Sequence, residues 1–110
     1  MVKPRQIVWQ PVIDLTNDSV MGHEALARFG GDRTPVDAFA EAIRIGRATA
    51  LDRACIHMAL ASAPPSGYLF VNLHAETIAG GIWPRVPPAL RARVVWELPE
   101  AAGWNPNPEG

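Results

Sequence analysis

Two short segments late in the chain, Tyr68–Leu73 and Val94–Leu98, are apolar and rich in β-branched and aromatic residues, as strands are. The stretch between them is too long for a hairpin turn. It carries a short helical pattern over Ala75–Ile82 and a proline-rich link through Pro84, Pro87 and Pro88. Strands joined by such a crossover pair in parallel, which predicts an α/β fold.

The preceding residues extend that frame. Ile7–Leu15 and Val20–Phe29 read as two strands joined at the polar turn Thr16-Asn17-Asp18-Ser19, a hairpin broken afterwards by Gly30-Gly31-Asp32. Thr34 can cap a helix, Pro35 suits its first position and Asp37 stands where a capping-box acid belongs. Val36, Phe39, Ala40 and Ile43 then mark one helical face, and Gly46 ends the helix. A second start signal at Thr49–Asp52 leads into a helix whose inward face is expected at Leu51, Cys55, Met58 and Ser62, stopped by Pro64-Pro65-Ser66-Gly67. Ala89–Arg93 is too short to assign, and Pro99–Gly110 reads as irregular. The predicted order is β-β-α-α-β-α-β.

Composition narrows function mainly by exclusion. The chain has 110 residues, 48 % hydrophobic, enough for a packed core. A net charge of −1 gives no global basic field for a nucleic-acid polymer or an anionic membrane. Cys55 stands alone, which leaves no internal disulfide and no cysteine-based zinc cluster, and its helical apolar setting predicts a buried thiol. Neither a membrane span nor a signal peptide is expected, so a cytoplasmic location is.

Side chains alternate across a strand, so parity assigns faces. Glu24, Leu26 and Arg28 share one face of the second strand. Asn72 shares a face with Tyr68 and Phe70, Glu97 with Val95, and Gln10 with Val12 and Asp14. Three strands thus each set one oxygen-bearing side chain, Glu24, Asn72 and Glu97, into an apolar stretch. An unpartnered buried carboxylate is costly. Arg28 could pair with one acid, or a divalent cation could serve both acids and the Asn72 carbonyl, since hard oxygen donors suit Mg²⁺, Mn²⁺ or Ca²⁺. A glutamate in a strand also serves often as a rim or salt-bridge residue, and spacing alone does not make the three converge.

Gln10-Pro11-Val12-Ile13-Asp14-Leu15, a turn, then Gly22-His23-Glu24-Ala25-Leu26-Ala27-Arg28-Phe29 resembles the opening of an EAL domain. Phe39-Ala40-Glu41-Ala42 with Gly46, Leu51-Asp52-Arg53, Phe70-Val71-Asn72-Leu73 and Val95-Trp96-Glu97-Leu98-Pro99-Glu100 are similar to that family's later segments, in order. The resemblance spans residues 7–102 and implies a partial TIM-like (β/α) barrel whose first strand is antiparallel to the rest. It implies an incomplete EAL domain over residues 1–102 and an irregular tail over 103–110. The implied activity is hydrolysis of one phosphodiester bond of cyclic di-GMP with two Mg²⁺ or Mn²⁺ ions. By position Glu24, Asn72 and Glu97 would be metal ligands, Arg28 and Leu26 would contact substrate, Gln10 would line the nucleotide pocket, and Glu100 would steady the catalytic loop.

The sequence also departs from the family pattern. His74 replaces the usual serine after Val-Asn-Leu and is expected as a solvated loop residue. Pro99 replaces a threonine, which fixes φ and removes an N–H donor beside Glu100. The family's metal-bridging Asp-Asp pair and its later lysine have no counterpart here: after Glu100 the only acid is Glu109, and Lys3 is the only lysine. The expectation is therefore a truncated domain, inactive alone, that self-associates or meets a partner chain covering the open barrel edge at Val94–Leu98. Two alternatives remain at this point. One is half of a split or cut active phosphodiesterase. The other, remote, is a small helix-turn-helix-like DNA-binding protein using Arg44, Arg47 and Arg53 around Gly46.

Overall fold

The computed structural model describes residues 2–81 and 83–99. Its elements run β1 (Gln6–Asp14), β2 (Ser19–Arg28), α1 (Pro35–Arg44), α2 (Ala48–Ala61), β3 (Tyr68–Asn72), α3 (Ala75–Ala79), a 3₁₀ turn (Pro88–Leu90) and β4 (Val94–Glu97). The four strands form one mixed sheet in the order β1-β2-β3-β4. β1 and β2 are antiparallel, whereas β2, β3 and β4 run parallel. The described residues thus form a mixed α/β structure with three α-helices, in the expected order of elements.

Local chemistry accounts for most boundaries. The β1–β2 turn is closed by Asp14, which accepts from the Thr16 N–H at 2.9 Å and its hydroxyl at 2.6 Å, and by Asn17, which accepts from the Ser19 N–H at 3.1 Å. α1 begins as read: the Thr34 hydroxyl accepts the Asp37 N–H at 3.1 Å, and Pro35 is the first helical residue. Gly46, at φ +72°, turns the chain out of α1. α2 departs from expectation, since its N-cap is Arg47 without a side-chain hydrogen bond. At Gly22, β2 and β3 approach so closely that a Cβ would stand 2.3 Å from the Tyr68 carbonyl oxygen.

The apolar interior lies on one side of the sheet. Ala25, Leu69 and Val71 project there with Leu73, against Ile56 and Ala59 of α2, flanked by Trp9, Ile78, Leu90 and Trp96. A second cluster joins Phe29 and Ala27 to Ala38 and Ala42 of α1 and Leu51 of α2. Leu51, Leu69, Leu73 and Val71 are fully buried, each stabilising the fold by about 1.5–3 kcal/mol.

The expected inward face of α2 is met in part: Leu51 is buried, and Cys55 and Met58 are half-buried. α1 seats through Ala38 and Ala42, while Val36 and Ile43 of its bulkier apolar stripe stay 72 % and 43 % exposed. α2 buries Ala48, Leu51, Asp52, Ile56 and Ala59, whereas Ser62 is exposed. No described helix is long and apolar enough to cross a membrane.

Candidate functional site

The strand register sorts the polar residues. Gln10 faces Glu24 across β1–β2, Glu24 is level with Phe70 across β2–β3, Phe70 with Val95, and Asn72 with Glu97 across β3–β4. Directly paired residues share a face. Gln10, Glu24, Leu26, Arg28, Asn72 and Glu97 therefore all lie on the side of the sheet opposite the helices. Glu24, Leu26, Asn72 and Glu97 are half-buried, and Gln10 and Arg28 are exposed. Asn72 and Glu97 are the last residues of their strands, and Arg28 is the last of β2.

The two acids meet above β3. Burial first, then a hydrogen bond to Glu24 and that group's charge, hold the Glu97 carboxyl above the usual carboxylate range. Two carboxyls hydrogen-bond only by sharing a proton, so the pair resists carrying two full charges. Oε1 of Glu97 is buried and has no hydrogen-bond partner among the described residues. Arg28 does not relieve this, because it pairs with neither acid among the described residues.

An orphaned carboxylate oxygen beside a second carboxyl, with an amide carbonyl on the adjacent strand, is a donor set suited to a hard divalent cation. Glu24, Asn72 and Glu97 would hold such an ion. Among the described residues no three His, Cys, Asp or Glu side chains cluster as a metal site. Glu100, expected to steady the catalytic loop, lies outside the described residues.

Sequence reasoning missed a second arrangement. His74, expected in solvent, is held at the end of β3 by Asp52 of α2. The carboxylate accepts the His74 N–H at 3.1 Å through Oδ2 and meets Nδ1 at 2.8 Å through Oδ1. Asp52 is 1 % exposed. The imidazole also stacks on Phe39, ring centroids 3.9 Å apart and planes 10° from parallel. The available signal was Asp52 itself, a carboxylate beside Leu51 in an apolar helix, which needs a partner. Cys55, one turn on, is half-buried, and burial with the Asp52 charge pushes its thiol up to about 12. It is an apolar wall rather than a nucleophile.

The chain matches no protein-family model and no curated protein. The motif residues and their geometry therefore carry the functional argument.

Proposed function

We propose that these 110 residues form the early side of an EAL-type domain related to cyclic-di-GMP phosphodiesterases, built on part of a TIM-like barrel, and that alone they do not hydrolyse the dinucleotide. One observation carries this reading. Glu24, Asn72 and Glu97 lie on one face of adjacent strands, and the buried Glu97 oxygen there is unpartnered beside a second acid. In parallel α/β sheets, chemistry collects at the C-terminal ends of strands, where Asn72 and Glu97 stand.

In this reading the three oxygen donors hold one Mg²⁺ or Mn²⁺. The ion would neutralise the paired acids and polarise a phosphate oxygen. Leu26 and Arg28 border the same face and meet the dinucleotide, Arg28 as a phosphate partner and Leu26 as an apolar edge, with Gln10 beside Glu24. Two carboxylates and an amide do not supply the charge for two bridged dications, nor is there a lysine near the site to handle the water's proton. Turnover therefore requires acids and an amine from outside these residues. Among the described residues β1 and β4 are sheet edges, and no helix lies over the polar face between them. A second copy or a partner chain covering that side fits this exposure, and a cytoplasmic location fits the reading.

The test is a hydrolysis assay with cyclic di-GMP and Mg²⁺ on the pure chain, beside calorimetry. The reading expects no turnover. Turnover by the pure chain that vanishes in Glu24→Ala would overturn it.

A further inference from the structure

On the helix side of the sheet, α1 stands away from the strands over a cavity of about 200 Å³. Ala25 and Val71 of the sheet, Val36 and Ile43 of α1, and Cys55 and Ile56 of α2 form its walls. The amphipathic pattern of α1 explains why the space is lined with hydrocarbon. Its Val36/Phe39/Ala40/Ile43 stripe faces the gap, while the smaller Ala38 and Ala42 make the seat. Alanines at positions 25, 27, 40 and 59 keep the walls apart, so the space follows from side-chain size.

Arg28, Asn72, Glu76, Asp52 and His74 are the polar residues on the cavity's lining. Among them the orientation of His74 is fixed three ways: a backbone bond to Asp52, a ring bond to Asp52 and the stack on Phe39. Because the Asp52 carboxylate only accepts, Nδ1 carries the hydrogen. In its neutral form such a ring presents Nε2 as an acceptor. Nε2 has no hydrogen-bond partner among the described residues, and it is not among the buried unpartnered atoms. A second-layer carboxylate that fixes tautomer and ring direction is how proteins prepare an imidazole to receive a donor. The Phe39–His74 stack also makes a flat wall suited to an aromatic ring.

We propose that the cavity between α1 and the sheet binds a small aromatic alcohol, its ring among the apolar walls and its hydroxyl donating to His74 Nε2. The apolar part of the lining admits the ring, and the oriented Nε2 favours O–H over a simple hydrocarbon or ether. Leu26, Arg28 and Asn72 also line this cavity, so it adjoins the Glu24/Glu97 face.

The experiment titrates the full chain with 2-naphthol and, in parallel, with 2-methoxynaphthalene, whose oxygen has no hydrogen to donate. The expected result is saturable one-to-one binding of the naphthol, about 3–10-fold tighter than the ether, as one net hydrogen bond provides. His74→Ser should erase that preference. Ala40→Leu narrows the cavity from an exposed helix position and should weaken both probes while leaving the circular dichroism spectrum unchanged. Equal affinity for the two probes, lack of saturation by the naphthol, or binding indifferent to Ala40→Leu would overturn the proposal. So would binding that falls as protein concentration rises, which would mean that a second copy occupies the cleft.

Discussion

Replacing Asp52 with alanine should be among the most damaging single changes outside the apolar core. The carboxylate is buried and accepts two hydrogen bonds from His74, at 3.1 and 2.8 Å. A hydrogen bond to a charged group contributes about 1.5–3 kcal/mol. Truncation removes both and leaves the His74 N–H without a partner. The His74 side chain keeps 16 % of its surface in water, so its ring recovers part of the loss. The expected cost is about 3–4 kcal/mol. Urea titration followed by tryptophan fluorescence measures it. At a slope of about 1.5 kcal/mol per molar, the midpoint should fall by about 2 M. Asp52→Asn, which keeps one acceptor, should lose roughly half as much. In a double-mutant cycle, Asp52→Ala and His74→Ala should couple by at least about 1 kcal/mol. If Asp52→Ala costs under about 1 kcal/mol, or the cycle shows no coupling, the pair is not the clamp inferred from its geometry.

Three further expectations follow from the same structure. Glu97 is held above the usual carboxylate range, so the folded chain grips that proton more tightly than the unfolded chain does. Its contribution is greatest below the ordinary value of 4.5 and is lost as pH rises through the raised one. Glu97→Gln should therefore raise Tm at neutral pH and flatten the Tm–pH profile above the ordinary value, and an unchanged profile would contradict this. Mg²⁺ should raise the Tm of the wild-type chain and not that of Glu97→Gln, by linkage of binding to folding. Gly22→Ala puts a Cβ 2.3 Å from the Tyr68 carbonyl oxygen, a backbone atom that cannot swing aside, and should cost at least about 2 kcal/mol in a thermal melt.

What the sequence disclosed tracks the rigidity of the rule that reads it. Strand parity has a period of two and no slack, so the shared face of Glu24, Leu26 and Arg28 was legible, and the order of elements followed from breakers such as Gly46 and Pro64. Helical faces are less constrained. α1 offers two neighbouring apolar stripes, and the pattern favours the bulkier one, Val36/Phe39/Ala40/Ile43. Close packing on Leu51 instead selected the stripe of alanines, which lets the helices approach. The Met21 bulge in the hairpin, where the pairing register shifts opposite Val12 and Ile13, leaves no mark in composition. Asp52 and His74 stand 22 positions apart, and only the packing of α2 beside the end of β3 joins them. Arg28 was a reasonable partner for a buried acid on parity, but it sits past the acids at the strand end and pairs with neither among the described residues.

The central claim is that Glu24, Asn72 and Glu97 converge on one cation, and a Mn²⁺ titration of the pure chain tests it most directly, with binding read by electron paramagnetic resonance of the free ion. The account predicts one saturable site that Glu24→Gln, Asn72→Ala and Glu97→Gln each weaken by tenfold or more, roughly 1.4 kcal/mol. Absence of a saturable site, or a site indifferent to all three substitutions, would contradict it.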